Sequence, residues 1–131
     1  HKDPITENLA VISVLFDEGS ENEFLSKFID NLHENHQIIV IESDNRIVAS
    51  GTLLIENKLI HGISKVCHIE DIVVDKNFRG LGLGKDLINY LTEISIKEKC
   101  YKVILNCKES NCKFYENCGF KRNEEEMVKY F

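Results

Sequence analysis

A glycine-rich segment, Arg79–Lys85 (RGLGLGK), constrains the fold of this chain more than any other stretch. It follows the apolar run His68–Val74 (HIEDIVV) and precedes a stretch with apolar residues at helical spacing. A strand, a glycine turn and a helix start together form a phosphate cradle, because glycines let backbone N–H groups approach a ligand and a helix N-terminus carries partial positive charge. The segment therefore predicts a site for a ligand that contains a pyrophosphate.

Two familiar phosphate loops do not fit this segment. A P-loop places four residues between its glycines and ends in Gly-Lys-Ser/Thr, whereas three residues separate Gly80 from Gly84 and Asp86 occupies the hydroxyl position. The dinucleotide fingerprint Gly-x-Gly-x-x-Gly also differs from the Gly-x-Gly-x-Gly found here. Taken alone, the segment is therefore compatible with an ordinary glycine turn as well.

Length and charge limit the class of protein. The 131 residues are expected to form one domain, 1–131, which is large enough for a hydrophobic core. No apolar run approaches the roughly 20 residues that a membrane span requires. The net charge of −6 argues against nucleic-acid binding, which needs a basic face. A few local cations would still suit an anionic small substrate.

The cysteines predict neither a disulfide framework nor a metal site. Their number is odd and no Cys-x-x-Cys pair occurs; they are Cys67, Cys100, Cys107, Cys112 and Cys118. We expect most of them to be small buried residues of a reduced, cytoplasmic protein that binds no metal.

The hydrophobic pattern predicts a mixed α/β sandwich. In chain order we expect a strand or lead-in over 9–16, a helix over 21–33, strands over 37–42, 46–56 and 65–74, a helix from Leu83, a strand over 101–107, a short helix between Ser110 and Gly119, and a strand over 127–131. The apolar character of 101–107 predicts that this strand is covered on both faces. Ser110 is expected to cap the short helix, and Gly119 to end it.

The glycine segment and its neighbours resemble those of the GNAT N-acetyltransferases. Arg79-x-x-Gly82-x-Gly84 is similar to the acetyl-CoA loop of that superfamily. The flanking segments 68–74, 100–105 and 113–120, in that order, are similar to a narrower family within it, the glucosamine-6-phosphate N-acetyltransferases. The resemblance is dense from about residue 58 to 120. It implies an α/β fold of the GNAT (acyl-CoA N-acyltransferase) type, a mixed, mostly antiparallel sheet flanked by helices.

The resemblance also implies an activity. The reaction would be direct transfer of acetyl from acetyl-CoA to the 2-amino group of glucosamine 6-phosphate, which feeds UDP-N-acetylglucosamine synthesis. The implied contacts with acetyl-CoA come from the strand before the loop, the loop itself and the short C-terminal helix. They are Ile72, Val73, Val74, Arg79, Gly80, Leu81, Gly82, Leu83, Gly84, Lys85, Asn111 and Tyr115. The side chains of 72–74 have the character of core residues, so their implied role lies in the backbone.

Acetyl transfer requires a held thioester, a neutral amine, a stabilised oxyanion and a proton for the departing thiolate. The resemblance implies that Tyr115 supplies that proton; without it, Tyr115 would be read as a packing aromatic, and Phe114 is assigned to the core. The resemblance places Glu70 at the amine, as an acceptor or as a base through water. Because successive strand residues point to opposite faces, at least one of Glu70 and Asp71 is expected to approach the interior or a cleft.

Contacts with the amino sugar are implied within strand 65–74 and in two segments outside it. Glu70 and Asp71 would face the sugar, while Lys58 and His61 would lie on the phosphate side. Tyr101 and Lys102 would reach the sugar across a homodimer interface.

Two positions depart from the family pattern. Asn106 occupies a position where the family commonly has an acidic residue, so its catalytic role would be limited to the backbone carbonyl, which can accept from the amine. Tyr130 occupies a position where the family commonly has an arginine that helps to bind phosphate.

Three other interpretations stay open. Cys107 or Cys112 could serve as a nucleophile in a ping-pong route, although no histidine is near either in sequence. The acidic balance suits a GNAT enzyme for another amine, such as a polyamine or a protein lysine. Asn106 suits a non-catalytic acyl-CoA-binding module, whereas Tyr115 and Glu70 argue for turnover.

Overall fold

The computed structural model of the chain describes residues 5–7, 34–43 and 45–131. The predicted lead-in over 9–16 and the predicted helix over 21–33 lie outside the described residues.

The described elements alternate as an α/β protein. In chain order they are β1 (Ile5–Glu7), β2 (His36–Ser43), β3 (Arg46–Asn57), α1 (Ile60–Ile63), β4 (Lys65–Val74), a 3₁₀ turn (Lys76–Phe78), α2 (Leu83–Lys97), β5 (Cys100–Ile104), a second 3₁₀ turn (Glu109–Asn111) and α3 (Cys112–Asn117). The predicted strands over 37–42, 46–56 and 65–74 and the helix from Leu83 are confirmed.

One sheet contains all five described strands in the order β1-β2-β3-β4-β5. The first three neighbouring pairs are antiparallel, and β4 and β5 are parallel. The sheet is thus mixed and mostly antiparallel, as the resemblance implies. Among the described strands, β1 and β5 are the edge strands, and β5 follows the helix that crosses back from β4.

Helix α2 packs on one face of this sheet. Its apolar stripe is buried at Leu83, Leu87, Ile88 and Leu91, as the spacing predicts. The two faces of β2 separate cleanly, because successive strand residues alternate: Ile39 and Ile41 join the cluster that contains α2, and Ile38 and Val40 form a second cluster with Ile47. This packing places the start of α2 beside the end of β4.

The C-terminal third differs most from the sequence-based expectation. The strand predicted over 101–107 ends at Ile104 and is not covered on both faces, since Tyr101 and Lys102 are exposed on the edge strand. The strand predicted over 127–131 is wrong: residues 121–131 have no regular secondary structure and are exposed. A strand needs a partner for its backbone groups, and the described part of the chain supplies none to this tail.

Two smaller expectations for this region have different outcomes. Ser110 does not cap α3; it lies inside the preceding 3₁₀ turn, and Asn111 is the N-cap residue. Gly119 does follow the end of α3 with a left-handed φ of 96°, and its N–H donates to the carbonyl of Glu116.

The cysteines are less buried than predicted. Only Cys67 of the five is buried, and Cys107 is exposed. Across the described ranges, no three His, Cys, Asp or Glu side chains are arranged to hold a metal ion. No helix within those ranges has the length and apolar character needed to cross a bilayer.

Candidate active site

β4 and β5 stop pairing part-way along β4, and we call the region beyond the end of their ladder the cleft. Their parallel ladder ends at His68 and Ile104. From Ile69 to Val74, the ladder partners of β4 among the described residues all belong to β3. The other edge of β4 therefore presents backbone N–H and C=O groups that a ligand can pair with, as an added strand would. Ile72, Val73 and Val74, the implied pantetheine contacts, lie on this edge.

A β-bulge distorts β4 at the cleft. Ser50 pairs with Val73 and Thr52 with Glu70, so Gly51 alone opposes both Asp71 and Ile72. Asp71 adopts a left-handed φ of 53°. A bulge bends its strand and re-aims backbone groups and side chains, and bulges are frequent beside active sites. This one lies directly before the implied pantetheine contacts.

The bulge changes the expected placement of the two carboxylates. Glu70 and Asp71 are both exposed, so of the two expected locations the interior is wrong for both, and the cleft stays a prediction. The physical reason is the left-handed conformation of Asp71, which interrupts the alternation of a regular strand. Both residues are exposed on the strand that borders the cleft, so their carboxylates are accessible to an amine.

The glycine segment after β4 has the conformation of an anion cradle. Gly80 and Gly82 adopt φ values of 83° and 85°, which side chains disfavour. Gly82 is the N-cap residue of α2, and the first intrahelical bond runs from Asp86 N–H to its carbonyl. The preceding N–H groups at the helix start have no intrahelical acceptor, so they can bind phosphate. Leu81 and Lys85 are exposed beside them.

The loop is anchored at its entrance by side chains. The Asp75 carboxylate accepts a bond from the Asn77 N–H at 2.8 Å and pairs with Arg46 at 3.2 Å. Arg79 donates from Nε to the Val74 carbonyl at 3.1 Å. This bond holds the Arg79 side chain against the end of β4 and leaves its terminal nitrogens exposed at the loop.

Tyr115 lies on α3, next to Phe114, whose ring contacts the start of α2. Its ring is half-buried and packs against the main core cluster. Burial raises the pKa of its hydroxyl, and the neighbouring Cys107 and Cys118 add to that rise. A tyrosine in this state holds its proton at neutral pH, as a general acid must.

Phe114 does not occupy the core position assigned to it. It is 38% exposed, and its ring lies against Gly84 at the start of α2. Tyr115, rather than Phe114, contacts the core, because α3 turns that side of the helix toward the sheet.

The segment between β5 and α3 carries the two asparagines. Asn106 is exposed in the stretch after β5, and Asn111 caps α3 without a side-chain bond to its backbone. Between them, Cys107 lies with its sulfur 3.8 Å from that of Cys112. Desolvation and the Cys112 thiol raise the pKa of Cys107, and the nearby Arg122 opposes that rise. A raised pKa makes Cys107 a less favourable nucleophile for a ping-pong route.

The cations implied on the phosphate side are partly paired within the chain. The Glu56 carboxylate contacts His68 Nε2 at 2.8 Å and Lys58 Nζ at 3.4 Å. The hydrogen bond from His68 is the main cause that lowers the pKa of Glu56. Lys102 Nζ lies 5.5 Å from the ring centre of Tyr101, within the range of a cation–π contact. His61 belongs to α1.

These cations lie at the far end of β4 from the cleft. Lys102 is opposite Val66 in the ladder, and the Lys58 N–H donates to the Ser64 carbonyl just before β4 begins. At about 3.3 Å per residue, Val66 and Ile72 are roughly 20 Å apart along the strand. Within one chain, therefore, the ladder position of Lys102 is separated by about that distance from the implied pantetheine contacts that begin at Ile72.

Comparison with known proteins agrees with this geometry. Residues 7–120 match the model of the Acetyltransferase (GNAT) family. This chain belongs to that family. Its β4–β5 cleft, bulge and glycine segment are accordingly those of a GNAT protein.

Relatives and solved structures point to a narrower group. The chain is 40% identical over 116 residues to glucosamine 6-phosphate N-acetyltransferase of Arabidopsis thaliana, covering 86% of this chain and 78% of that one. It is 45% identical over 96 residues to the protein of that name in Candida albicans, covering 73% and 64%. The crystal structure of the Arabidopsis enzyme superposes with a TM-score of 0.88 at 34% identity, over 98% of this chain and 97% of that chain.

Sequence reasoning missed three residues of this region. Gly51 opposes the bulge, and Glu56 and His68 form the closest side-chain ion contact on β3 and β4. His68 pairs with Leu54, so Glu56 is its diagonal neighbour on the same face. Both residues lie in strands that the sequence predicts, but their contact follows only from the register in which β3 pairs with β4.

Proposed function

We propose that this chain transfers acetyl from acetyl-CoA to the 2-amino group of D-glucosamine 6-phosphate. The product is N-acetylglucosamine 6-phosphate, a precursor for UDP-N-acetylglucosamine synthesis. The observation that carries the proposal is the edge of β4 beyond its ladder with β5, followed directly by the glycine segment, with Tyr115 beside a ring that contacts the start of α2. The acceptor, glucosamine 6-phosphate, is inferred from the names of the relatives.

Different residues of the site bind different parts of acetyl-CoA. Backbone groups of Ile72 to Val74 pair with the pantetheine arm, and the glycine segment with the start of α2 holds the pyrophosphate. Arg79 and Lys85 add positive charge there. Asn111 contributes a polar side chain at the start of α3.

The reaction is a single displacement at the thioester carbonyl. The lone pair of the amine attacks the carbonyl carbon, and the oxyanion is stabilised by a backbone N–H of the bulged strand. The C–S bond then breaks, the electron pair leaves on sulfur, and the Tyr115 hydroxyl donates the proton that makes the CoA thiol. The amine proton passes to Glu70 through water. The backbone carbonyl of Asn106 accepts a hydrogen bond from the amine and thereby orients the amine.

The acceptor site is completed by a second copy of the chain. Lys102 is opposite Val66, roughly 20 Å along β4 from Ile72, and the resemblance implies that Tyr101 and Lys102 act on a sugar bound in another molecule's cleft. The exposed edge of β5 and the exposed apolar side chains Met127, Val128, Tyr130 and Phe131 supply a surface for that contact. A homodimer is thus part of the proposed function.

A thiol-release assay with acetyl-CoA tests the proposal. We expect turnover with glucosamine 6-phosphate and much weaker turnover with glucosamine, since the phosphate contacts are then lost. Spermidine and a lysine peptide are the competing acceptors. Faster turnover with either of them would refute the assigned substrate, and acetyl-CoA binding without turnover of any amine would identify a non-catalytic module.

A further inference from the structure

Phe114 stands between two parts of the proposed site. A Cβ added at Gly84 would lie 3.2 Å from Cζ and 3.6 Å from Cε1 of the Phe114 ring, and 3.8 Å from a methyl group of Val74. Gly84 is in the first turn of α2, and Val74 ends β4. The Phe114 ring thus occupies the space beside the acetyl-CoA loop that any side chain at position 84 would need.

Gly84 therefore differs in physical role from the other two glycines of the loop. Gly80 and Gly82 have left-handed φ values, and an added Cβ at either would meet nothing within 4 Å. Gly84 is absent from the positive-φ residues of the described chain, yet its surroundings are tight. The first two glycines are favoured by backbone conformation, and Gly84 is favoured by the neighbouring aromatic ring, which an added Cβ would crowd.

The same ring contacts Tyr115 edge-on. The ring centroids of Phe114 and Tyr115 are 4.9 Å apart at an interplanar angle of 80°, a favourable aromatic arrangement. Helix α3 has only six residues, none of them fully buried. Its position relative to α2 thus depends on few side chains, and Phe114 is one that reaches α2.

We propose that Phe114 is a positioning residue: its ring, seated on Gly84, sets the distance between the Tyr115 hydroxyl and the thioester held by the loop. This inference rests on the proposed function, because it assigns Phe114 an effect through the general acid. Phe114 itself exchanges no proton and needs no contact with substrate. Misplacement of a catalytic group by about 1 Å can cost up to about 10²-fold in rate, so even a small shift of α3 should be measurable.

A double-mutant cycle in kcat tests the route of the effect. We expect Phe114→Leu to lower kcat about tenfold, with acetyl-CoA affinity within about twofold of the parent. In a Tyr115→Phe background, Phe114→Leu should lower kcat no further, since the hydroxyl that it positions is gone. An equal loss in both backgrounds, a parental kcat for Phe114→Leu, or a parental kcat for Tyr115→Phe each overturns the proposal.

A second set of variants tests the contact with Gly84. Gly84→Ala places a methyl group against the Phe114 ring and should lower kcat, and adding Phe114→Leu should recover part of that loss because leucine yields more easily. Phe120→Leu is the matched control: its ring lies 6.1 Å from that of Tyr115, and it should give no recovery of Gly84→Ala. Recovery by both substitutions, or by neither, contradicts a specific Phe114–Gly84 contact.

NMR of the tyrosine rings in labelled protein tests the position of Tyr115 without depending on which substrate the enzyme uses. The Tyr115 signals, assigned by their loss in Tyr115→Phe, should shift in both Gly84→Ala and Phe114→Leu at temperatures where melting curves show folded protein. Unshifted signals overturn the proposal even if turnover is present. Shifted signals without turnover of glucosamine 6-phosphate would leave the contact standing and refute the proposed function instead.

Discussion

The Tyr115 hydroxyl is the single group on which the proposed chemistry depends most. Tyr115→Phe keeps the ring and its packing against the core and removes only the proton donor. A positioned general acid contributes about 10²–10⁴-fold in rate. The loss should fall near the lower end, since a thiolate with a pKa of about 8–9 leaves fairly readily. Steady-state kinetics with both substrates saturating should show a lower kcat and unchanged acetyl-CoA affinity. A parental kcat would reduce Tyr115 to a packing residue.

The raised pKa of Tyr115 predicts the alkaline limb of the pH profile. Burial favours the neutral phenol, so its pKa lies above the ordinary 10.0. Because the protonated form is the active acid, kcat should stay level as pH rises to that ordinary value and fall only beyond it. The limb should be absent in Tyr115→Phe. A parental limb centred below pH 10 would assign it to another group.

Gly82 links the conformation of the loop to acetyl-CoA binding. Gly82→Val forces a β-branched residue to φ 85°, at a cost of about 1–3 kcal/mol, and places a side chain where the pyrophosphate approaches. Calorimetry should show a large loss of acetyl-CoA affinity. Gly62→Val is the matched control, since Gly62 has a similar φ of 73° and equally open surroundings away from the loop. Equal affinities for the two variants would argue against a pyrophosphate site at Gly82.

The β4 bulge has its own stability requirement at Gly51. A Cβ there would lie 2.5 Å from Cδ1 of Ile72, 3.2 Å from Cδ1 of Leu91 and 3.3 Å from Cδ2 of Leu87. Overpacking of this kind costs about 1–3 kcal/mol, so Gly51→Ala should lower the free energy of unfolding by that amount. Ile72→Val removes the nearest methyl group and should reduce the cost of Gly51→Ala in a denaturant titration. Additive effects of the two changes would place the strain elsewhere.

At the scale of the whole molecule, the separation of the cations from the cleft predicts a dimer with shared sites. Light scattering should give the mass of two chains. Chains carrying Tyr115→Phe and chains carrying Lys102→Ala should each be weak alone, yet random pairing should recover about a quarter of parental activity, because one site of each mixed two-fold dimer is intact. A monomer with full activity, or no recovery on mixing purified dimers after subunit exchange, would contradict a shared site.

The sequence by itself determined the parts of this protein that depend on local physics. Alternation and helical spacing located β2, β3, β4 and α2, because burial of one face follows directly from those periods. Glycines at positions 80 and 82 indicated backbone that other residues avoid. Motif resemblance supplied Tyr115, although the spacing of residues around it could not distinguish a proton donor from a packing ring.

Only the tertiary structure decided what depends on strand register and on which side of an element faces its neighbours. The bulge that exposes both Glu70 and Asp71 arises from how β3 and β4 pair. No local sequence pattern at Asp71 predicts this bulge. The end of β5 at Ile104 and the absence of a strand over 127–131 depend on which backbone edges find partners. The packing of Tyr115 against the core and of Phe114 against Gly84 follows from the orientation of α3 relative to α2. These are long-range contacts, so the residues that make them are far apart in the chain.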